Sequence, residues 1–237
     1  MIIQILDLLG TDNAVFFALL GSMLFALLIG IGFHEAMHAY TATALGDTLP
    51  ARQGRTTLNP FAHLDPLGTM LMLIVGFGWG KPVQFDPRGL KVSERTAMLL
   101  VSLAGPLSNF VAAGLLGVAI KLGWVPYVNP FDVIDSDFLR LSLDDRDEYI
   151  GLLLTGAVYL NCILGVFNLI PVHPLDGFKV VYGLLPESLA DDWMRMAQYG
   201  PAILMTLFIL PLFIGFSPIS ELMVPTVQWL VELFTGV

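Results

Sequence analysis

The sequence predicts an all-α polytopic membrane protein with about five membrane-spanning helices and one re-entrant element, in which a short helix is paired with a β-hairpin. Of the 237 residues, 56% are hydrophobic and only 13% are charged, the mean hydropathy is +0.76, and the apolar residues form separate runs. No soluble domain of this size needs so much apolar surface. We therefore expect one membrane-embedded domain over residues 1–237, with its core at about 14–183 and C-terminal helices at 197–234.

Charge and cysteine content exclude several classes of protein. The net charge of -9 and a pI near 4.7 argue against a nucleic-acid partner. The single cysteine, Cys162, permits neither an intrachain disulfide nor a cysteine-based metal site. No Lys or Arg precedes Arg52, so the start lacks the positive region of a cleaved signal peptide. We expect the first span to be retained, with the amino terminus on the far side of the membrane.

The first predicted span leads directly into a histidine motif. Residues 14–33 are apolar and uncharged, which is about the length needed to cross a bilayer as a helix. The run continues as His34-Glu35-Ala36-Met37-His38. Residues four apart lie one turn above each other on a helix, so both imidazoles face the same point. Two neutral imidazoles at this separation suit one zinc ion, with Glu35 beside them to act on a water molecule.

The membrane setting makes coincidence a poor explanation of this motif. Each ionisable group costs a few kcal/mol to place in hydrocarbon, so an unpaired Glu35 would be poorly tolerated at the end of a span. The motif therefore favours a metal site over two surface histidines. A metal site still needs at least one more ligand.

The segment after the first span is predicted to enter and leave the membrane by one face. Residues 67–80 are apolar but too short for an upright span, and 81–92 read as a β-hairpin with a turn at 86–89. Basic residues stand on both sides of the short element: Arg52, Arg55, Lys81, Arg88, Lys91 and Arg95. By the positive-inside rule both flanks face the cytoplasm. Irregular backbone survives at membrane depth only where protein or a water-filled cavity surrounds it.

The remaining spans follow in order along the chain. They are predicted at 96–120, 149–170, 197–216 and 219–234, with an acidic soluble stretch at 129–148. Gly105-Pro106 is expected to kink the second span. The polar residues Asn109 and Asn161 lie inside spans and are expected to bond across helices.

The third span brings a carboxylate to the end of the membrane where the histidines lie. It runs into residues 168–177, in which Pro171 and Pro174 break the helix before Asp176. A set of two histidines and one aspartate leaves one zinc position open for water, as catalysis requires. The alternative is that Asp176 only caps a helix at the surface.

These motifs resemble a known family. His34-Glu35-x-x-His38 after one span, with Asn168 through Leu175-Asp176-Gly177 after another, resembles the site-2 protease family of intramembrane zinc metalloproteases. The similarity covers about residues 31–183. Further stretches match its short bacterial members: Gly54-Arg55 with Leu58-Asn59-Pro60, His63-x-Asp65-Pro66-x-Gly68-Thr69, Gly80-Lys81-Pro82-Val83, and Leu103-Ala104-Gly105-Pro106-Leu107-Ser108-Asn109.

The resemblance assigns roles to five residues. It implies that His34, His38 and Asp176 bind one zinc ion, that Glu35 is the catalytic base, and that Asn168 assists near the transition state. The protein is then expected to be an intramembrane endopeptidase of the bacterial inner membrane, with its active site near the cytoplasmic face. Its partners are expected to be transmembrane protein or peptide substrates and the lipid bilayer. We expect no regulatory domain within this chain.

Several alternatives remain open from the sequence. A metal-ion transporter would also carry intramembrane histidine and aspartate, and a non-proteolytic scaffold could retain the motifs. His63 is either a further ligand or substrate contact, or a structural residue, and His173 is either part of the site or outside it. The hairpin at 81–92 either pairs with an unwound substrate by strand addition or only plugs the cavity. The substrate, the oligomeric state and the role of the C-terminal helices stay open.

Overall fold

The computed structural model describes residues 5–8, 13–75, 78–86, 89–135 and 146–237. Within them the regular structure is entirely helical. The α-helices are α1 (Asn13–Ala44), α2 (Leu49–Arg52), α3 (Pro66–Val75), α4 (Glu94–Lys121), α5 (Pro130–Asp135), α6 (Arg146–Asn168), α7 (Asp176–Leu184), α8 (Glu187–Arg195), α9 (Gly200–Ile209), α10 (Pro211–Ile214) and α11 (Pro218–Thr235). Short 3-10 helices lie at Leu6–Leu8, Pro60–Ala62 and Met196–Tyr199.

A bundle of α1, α4 and α6 forms the centre of the molecule. Among the described residues, these three helices are long and apolar enough to cross a membrane, and each packs against the other two. Helix α4 runs antiparallel to α1, because His34 bonds Asn109 while His38, further along α1, bonds Val101, earlier in α4. Helix α6 runs parallel to α1, because Ser22 bonds the Leu152 carbonyl while Gly30, further along α1, lies against Asn161 and Leu164, further along α6. The carboxyl ends of α1 and α6 therefore lie at one end of the bundle.

The count of spans differs from the prediction at the C-terminus. Residues 197–216, expected as one span, are divided into the end of a 3-10 helix, α9 and α10. Pro201 lies in the first turn of α9, Pro211 begins α10, and Gly215 ends α10 with a φ of +68°. Helix α11 has 18 residues, contains Pro225 within it and carries Glu221 and Glu232. The prediction of about five spans is thus confirmed for three helices and not for the C-terminal pair.

The two ends of the short apolar element, at residues 64 and 80, lie side by side. Leu64 and Gly80 form an isolated antiparallel bridge, and the Lys81 backbone N–H donates to the His63 carbonyl at 2.7 Å. Between them α3 has only 10 residues, about 15 Å of helix, and starts where the Asp65 side chain accepts from the Gly68 N–H at 2.8 Å. Residues 76–77 lie outside the described part.

The predicted β-hairpin at 81–92 is not found in the described residues. They form no strand, and Pro87 and Arg88 of the predicted turn lie outside the described part. The backbone N–H groups at its ends bond to other elements instead of to each other. Lys81 bonds the His63 carbonyl, Lys91 bonds the Leu45 carbonyl at 2.8 Å, and Asp86 bonds the Asp47 carboxylate at 2.9 Å. We call the described residues 81–86 the strap.

Candidate metal centre

Three ligand-type atoms converge at the carboxyl ends of α1 and α6. The Nε2 atoms of His34 and His38 lie 3.0 Å apart, and each lies 3.1 Å from Oδ2 of Asp176. All three residues are buried. Among the described residues, these are the ones whose His, Cys, Asp or Glu donor atoms lie close enough together to share a metal ion. The sequence predicted this trio, although Asp176 is 138 positions from His38.

Hydrogen bonds behind the two imidazoles decide which nitrogen faces the centre. His38 Nδ1 lies 2.6 Å from the Val101 carbonyl oxygen, and His34 Nδ1 lies 2.7 Å from Oδ1 of Asn109. A carbonyl oxygen only accepts hydrogen bonds, so each Nδ1 carries the hydrogen. In the neutral rings both Nε2 lone pairs then point at the Asp176 carboxylate.

This arrangement fits a divalent metal. Two nitrogen lone pairs and a carboxylate oxygen within 3.1 Å of one another would repel without a positive charge between them. Nitrogen and carboxylate ligands in a set of three match a catalytic zinc site.

Asp176 reaches the histidines because the chain folds back tightly after α6. It is the first residue of α7, whose N-cap Leu175 has an extended backbone. A Cβ on the next residue, Gly177, would lie 2.2 Å from the Leu169 carbonyl oxygen, so only glycine allows this approach. Phe178 then stacks on Trp193 with ring centroids 5.0 Å apart, and Trp193 Nε1 donates to the Phe178 carbonyl. These contacts fix the start of α7.

Gly105 of α4 forms the back wall of the centre. A Cβ at this position would lie 2.4 Å from Nε2 of His38 and 2.8 Å from Cε1 of His34. Both distances are far below van der Waals contact. The absence of a side chain is therefore what lets α4 approach the two imidazoles.

A cavity of about 450 Å³ opens in front of the three ligands. Glu35 and Asn168 lie on its wall together with the trio. The Asn168 amide donates one hydrogen bond to the Leu164 carbonyl at 3.0 Å, which leaves its second N–H hydrogen for another acceptor. Much of the remaining lining is apolar, and it includes Met72, Trp79, Pro82, Val83, Phe85 and Leu204. The cavity thus combines an apolar surface with a polar end.

Asp47 and Arg55 hold the strap over this cavity. Arg55 is buried and donates to the backbone carbonyls of Ala62 and Lys81. Asp47, fully buried, accepts from the backbone N–H groups of Leu49 and Asp86. Between these two anchors, none of the hydrogen bonds in the described residues involves the backbone of Val83, Gln84 or Phe85.

The other two histidines lie outside the trio. His63 is fully buried, its Nε2 donates to the Thr57 carbonyl at 2.8 Å, and burial lowers its pKa. These contacts favour the structural alternative for His63. His173 packs its ring against Phe178 at 5.6 Å, so it supports the start of α7.

Two buried asparagines were not predicted to belong to the site. Asn109 and Asn161 bond across helices as expected, but Asn109 also bonds a metal-ligand candidate, His34. The available signal was the spacing within α4, because Asn109 stands four residues after Gly105, one turn along the same helix face. Only the pairing of α4 with α1 shows that this face meets the histidines.

Comparison with known proteins identifies relatives along most of the chain. The model of a family described as peptidase family M50 matches residues 22–210. A protein of Bacillus subtilis named "Putative zinc metalloprotease YwhC" is 34% identical over 82% of this chain and 83% of its own length. A protein of Mycolicibacterium smegmatis named "Putative zinc metalloprotease Rip2" is 29% identical over 78% of this chain and 65% of its own length. No solved structure matches.

Proposed function

This chain belongs to peptidase family M50, the site-2 protease family, and is a zinc metalloprotease; on that premise we propose that it is an endopeptidase that hydrolyses transmembrane segments of other membrane proteins. One observation carries the proposal. The buried His34, His38 and Asp176 group lies at the end of apolar membrane-length helices and opens onto a largely apolar cavity. Such a cavity suits an apolar peptide.

We assign the zinc to His34, His38 and Asp176, and the proton transfers to Glu35. Zinc, when bound, would lower the pKa of a water molecule towards neutrality and polarise the scissile carbonyl. Glu35 takes a proton from the attacking water as the water oxygen bonds the carbonyl carbon. Glu35 then gives this proton to the peptide nitrogen as the carbon–nitrogen bond breaks. The free Asn168 N–H is the proposed donor to the developing oxyanion.

The strap is the proposed docking site for the unwound substrate. A transmembrane helix hides its peptide bonds in internal hydrogen bonds, and unpaired backbone in lipid is costly. The backbone groups of Val83, Gln84 and Phe85, which form no hydrogen bond with another described residue, lie on the cavity side of the molecule, since Val83 and Phe85 line the cavity. They are able to pair with an extended substrate by strand addition, although they form no hairpin of their own.

We propose that the active site lies near the cytoplasmic face of a bacterial inner membrane. The segments that follow the carboxyl ends of α1 and α6, residues 45–95 and 169–195, hold eight of the eleven basic residues in the sequence: Arg52, Arg55, Lys81, Arg88, Lys91, Arg95, Lys179 and Arg195. The remaining three are Lys121, Arg140 and Arg146. The positive-inside rule supports this orientation. The paired ends of the 64–80 element likewise suit a re-entrant segment.

A cleavage assay with metal analysis tests the proposal. Wild type, Glu35→Gln and Asp176→Asn are compared on candidate single-span membrane proteins in reconstituted vesicles, and bound zinc is measured for each. We expect cleavage by wild type alone, with zinc retained in Glu35→Gln and lost in Asp176→Asn. Equal processing by all three proteins would defeat the proposal. Metal uptake into vesicles by the Glu35→Gln variant would indicate transport instead.

A further inference from the structure

A chain of buried hydrogen bonds runs from the metal centre to the middle of α6. His34 Nδ1 lies 2.7 Å from Oδ1 of Asn109, and Nδ2 of Asn109 lies 2.9 Å from Oδ1 of Asn161. Both asparagines have 0% exposure. The three side chains come from α1, α4 and α6, so this chain of bonds joins all three long helices at one level of the bundle.

Two backbone carbonyls fix the direction of every bond in this chain. Nδ2 of Asn109 donates to the Gly30 carbonyl at 2.9 Å, and Nδ2 of Asn161 donates to the Ala157 carbonyl at 2.8 Å. A backbone carbonyl oxygen only accepts hydrogen bonds, so the group of each asparagine that faces it must be the NH2 and not the amide oxygen. The amide oxygen of Asn109 must therefore face His34, where it accepts the Nδ1 hydrogen. The chain of bonds thereby selects the tautomer that presents Nε2 to the metal centre.

Asn109 also holds the backbone of the histidine turn. In an α-helix the carbonyl of residue 30 accepts from the N–H of residue 34, so Asn109 bonds both the His34 side chain and the Gly30 carbonyl one turn before it. Gly30 also lets α6 pack closely on α1, because a Cβ there would lie 2.7 Å from Cδ1 of Leu164. The close contact of α1 with α6 thus places Asn161 against Asn109.

Asn161 controls how the Asn109 amide is turned. The Asn109 amide has two N–H hydrogens, one on Gly30 and the other on Asn161. Without the Asn161 oxygen, one of them would be buried and unpaired, which is costly enough for the amide to rotate towards another acceptor. We propose that Asn161 is a positioning residue for the metal centre, acting through Asn109 to hold the His34 imidazole in its metal-binding tautomer and orientation. This inference rests on the proposed zinc site.

Zinc affinity of the purified full-length protein tests this role independently of proteolysis. The dissociation constant is measured by competition with a chromophoric chelator in detergent micelles. Asn109→Leu, which removes the acceptor at nearly constant volume, should weaken zinc binding by about 10–100-fold. Asn161→Leu and Asn161→Ser should weaken it in the same direction. The double variant Asn109→Leu/Asn161→Leu should bind no more weakly than Asn109→Leu alone, because Asn161 acts only through Asn109.

A matched control separates positioning from general loosening of the bundle. Ser22 Oγ donates to the Leu152 carbonyl at 3.0 Å, so Ser22→Ala also removes a buried bond between α1 and α6 but lies away from His34. Ser22→Ala should lower the melting temperature without changing the zinc constant. The visible absorption spectrum of the cobalt-substituted protein should change in the Asn161 variants and not in Ser22→Ala. Equal weakening of zinc binding in Ser22→Ala would reduce Asn161 to a structural residue.

Two outcomes distinguish failure of this inference from failure of the proposed function. If wild type binds one zinc ion and Asp176→Asn loses it, while both Asn161 variants keep the wild-type zinc constant and cobalt spectrum, only the positioning role is overturned. If Asp176→Asn binds zinc as wild type does, the proposed metal site itself is wrong. Asn161→Ser keeps a hydroxyl that is able to bond within its own helix. It is therefore the variant used for the test if Asn161→Leu does not fold.

Discussion

The carboxylate of Asp47 accepts a hydrogen bond of 2.9 Å from the backbone N–H of Asp86, 39 positions later in the chain. Its other oxygen accepts from the Leu49 N–H at 2.8 Å. One fully buried side chain thus joins the end of α1, which carries the histidines, to the strap that lines the cavity. The position of the strap is therefore coupled directly to the helix of the metal centre.

Asp47→Ala should release one end of the strap. A hydrogen bond to a charged group contributes about 1.5–3 kcal/mol, so we expect a loss of stability of that order and slower cleavage, with zinc binding retained. Melting temperature, zinc content and cleavage rate are measured together. Asp65→Ala serves as control, because Asp65 also caps a helix start but does not bond the strap. A normal cleavage rate in a folded Asp47→Ala variant would show that this anchor is dispensable.

Gly105→Ala should abolish metal binding with little effect on the rest of α4. The new methyl group would overlap Nε2 of His38 at 2.4 Å, so at least one imidazole must turn away. Gly114→Ala in the same helix is the matched control, since its Cβ would meet the Phe234 ring at an ordinary 3.5 Å. Zinc content per protein is measured for both. Full zinc occupancy in Gly105→Ala would mean that the back wall of the centre is not where we describe it.

Proline within the strap tests strand addition by the substrate. Gln84→Pro and Phe85→Pro each remove one backbone donor from residues 83–85, whose backbone forms no hydrogen bond within the described part of the chain. We expect slower cleavage and an unchanged zinc content. Gln84→Ala is the control, because it loses the side-chain bond to Gln53 but keeps the backbone N–H. Intact cleavage in both proline variants would remove the strap from substrate binding.

The burial of His63 predicts that this side chain contributes to the pH dependence of the protein's stability. Burial lowers its pKa in the folded protein below the ordinary value of 6.5, so the unfolded chain binds a proton more readily. Its contribution to stability is complete above pH 6.5 and is lost as the pH falls towards the lowered value. Wild type and His63→Gln are compared by thermal unfolding between about pH 5 and pH 8. The difference in melting temperature between the two proteins should shrink towards acid pH. A difference that stays constant would contradict this assignment.

The sequence predicted the parts of the site that depend on local geometry. His34, Glu35 and His38 follow from the four-residue repeat of a helix and from the length of the apolar run before them. The caps at Asn59 and Asp65 are equally local: each residue precedes a proline, and each side chain accepts a hydrogen bond from a backbone N–H two or three residues later. To predict that Asp176 lies near the histidines, one must also know the direction in which each span crosses the membrane.

The strap and the C-terminal helices were predicted less well, for one physical reason. Alternating residues around a turn sequence predict a hairpin only if the two strands find no better partners. Here Asp47, Leu45 and His63 provide those partners from outside the segment. In the same way, apolar composition predicted one span at 197–216, whereas prolines divide that segment into shorter helices.

The sequence by itself determined the membrane-length helices and the histidine pair, because helix period, length and hydropathy are properties of contiguous residues. The family motif around Asp176 supplied the candidate third ligand. Only the tertiary structure decided which nitrogen of each imidazole faces the centre, that Gly105 must be a glycine, and that Asn109 and Asn161 stand behind His34. Those features depend on which faces of α1, α4 and α6 meet. Hydrogen bonds and steric contacts between distant segments set that pairing, and no local pattern in the chain encodes it.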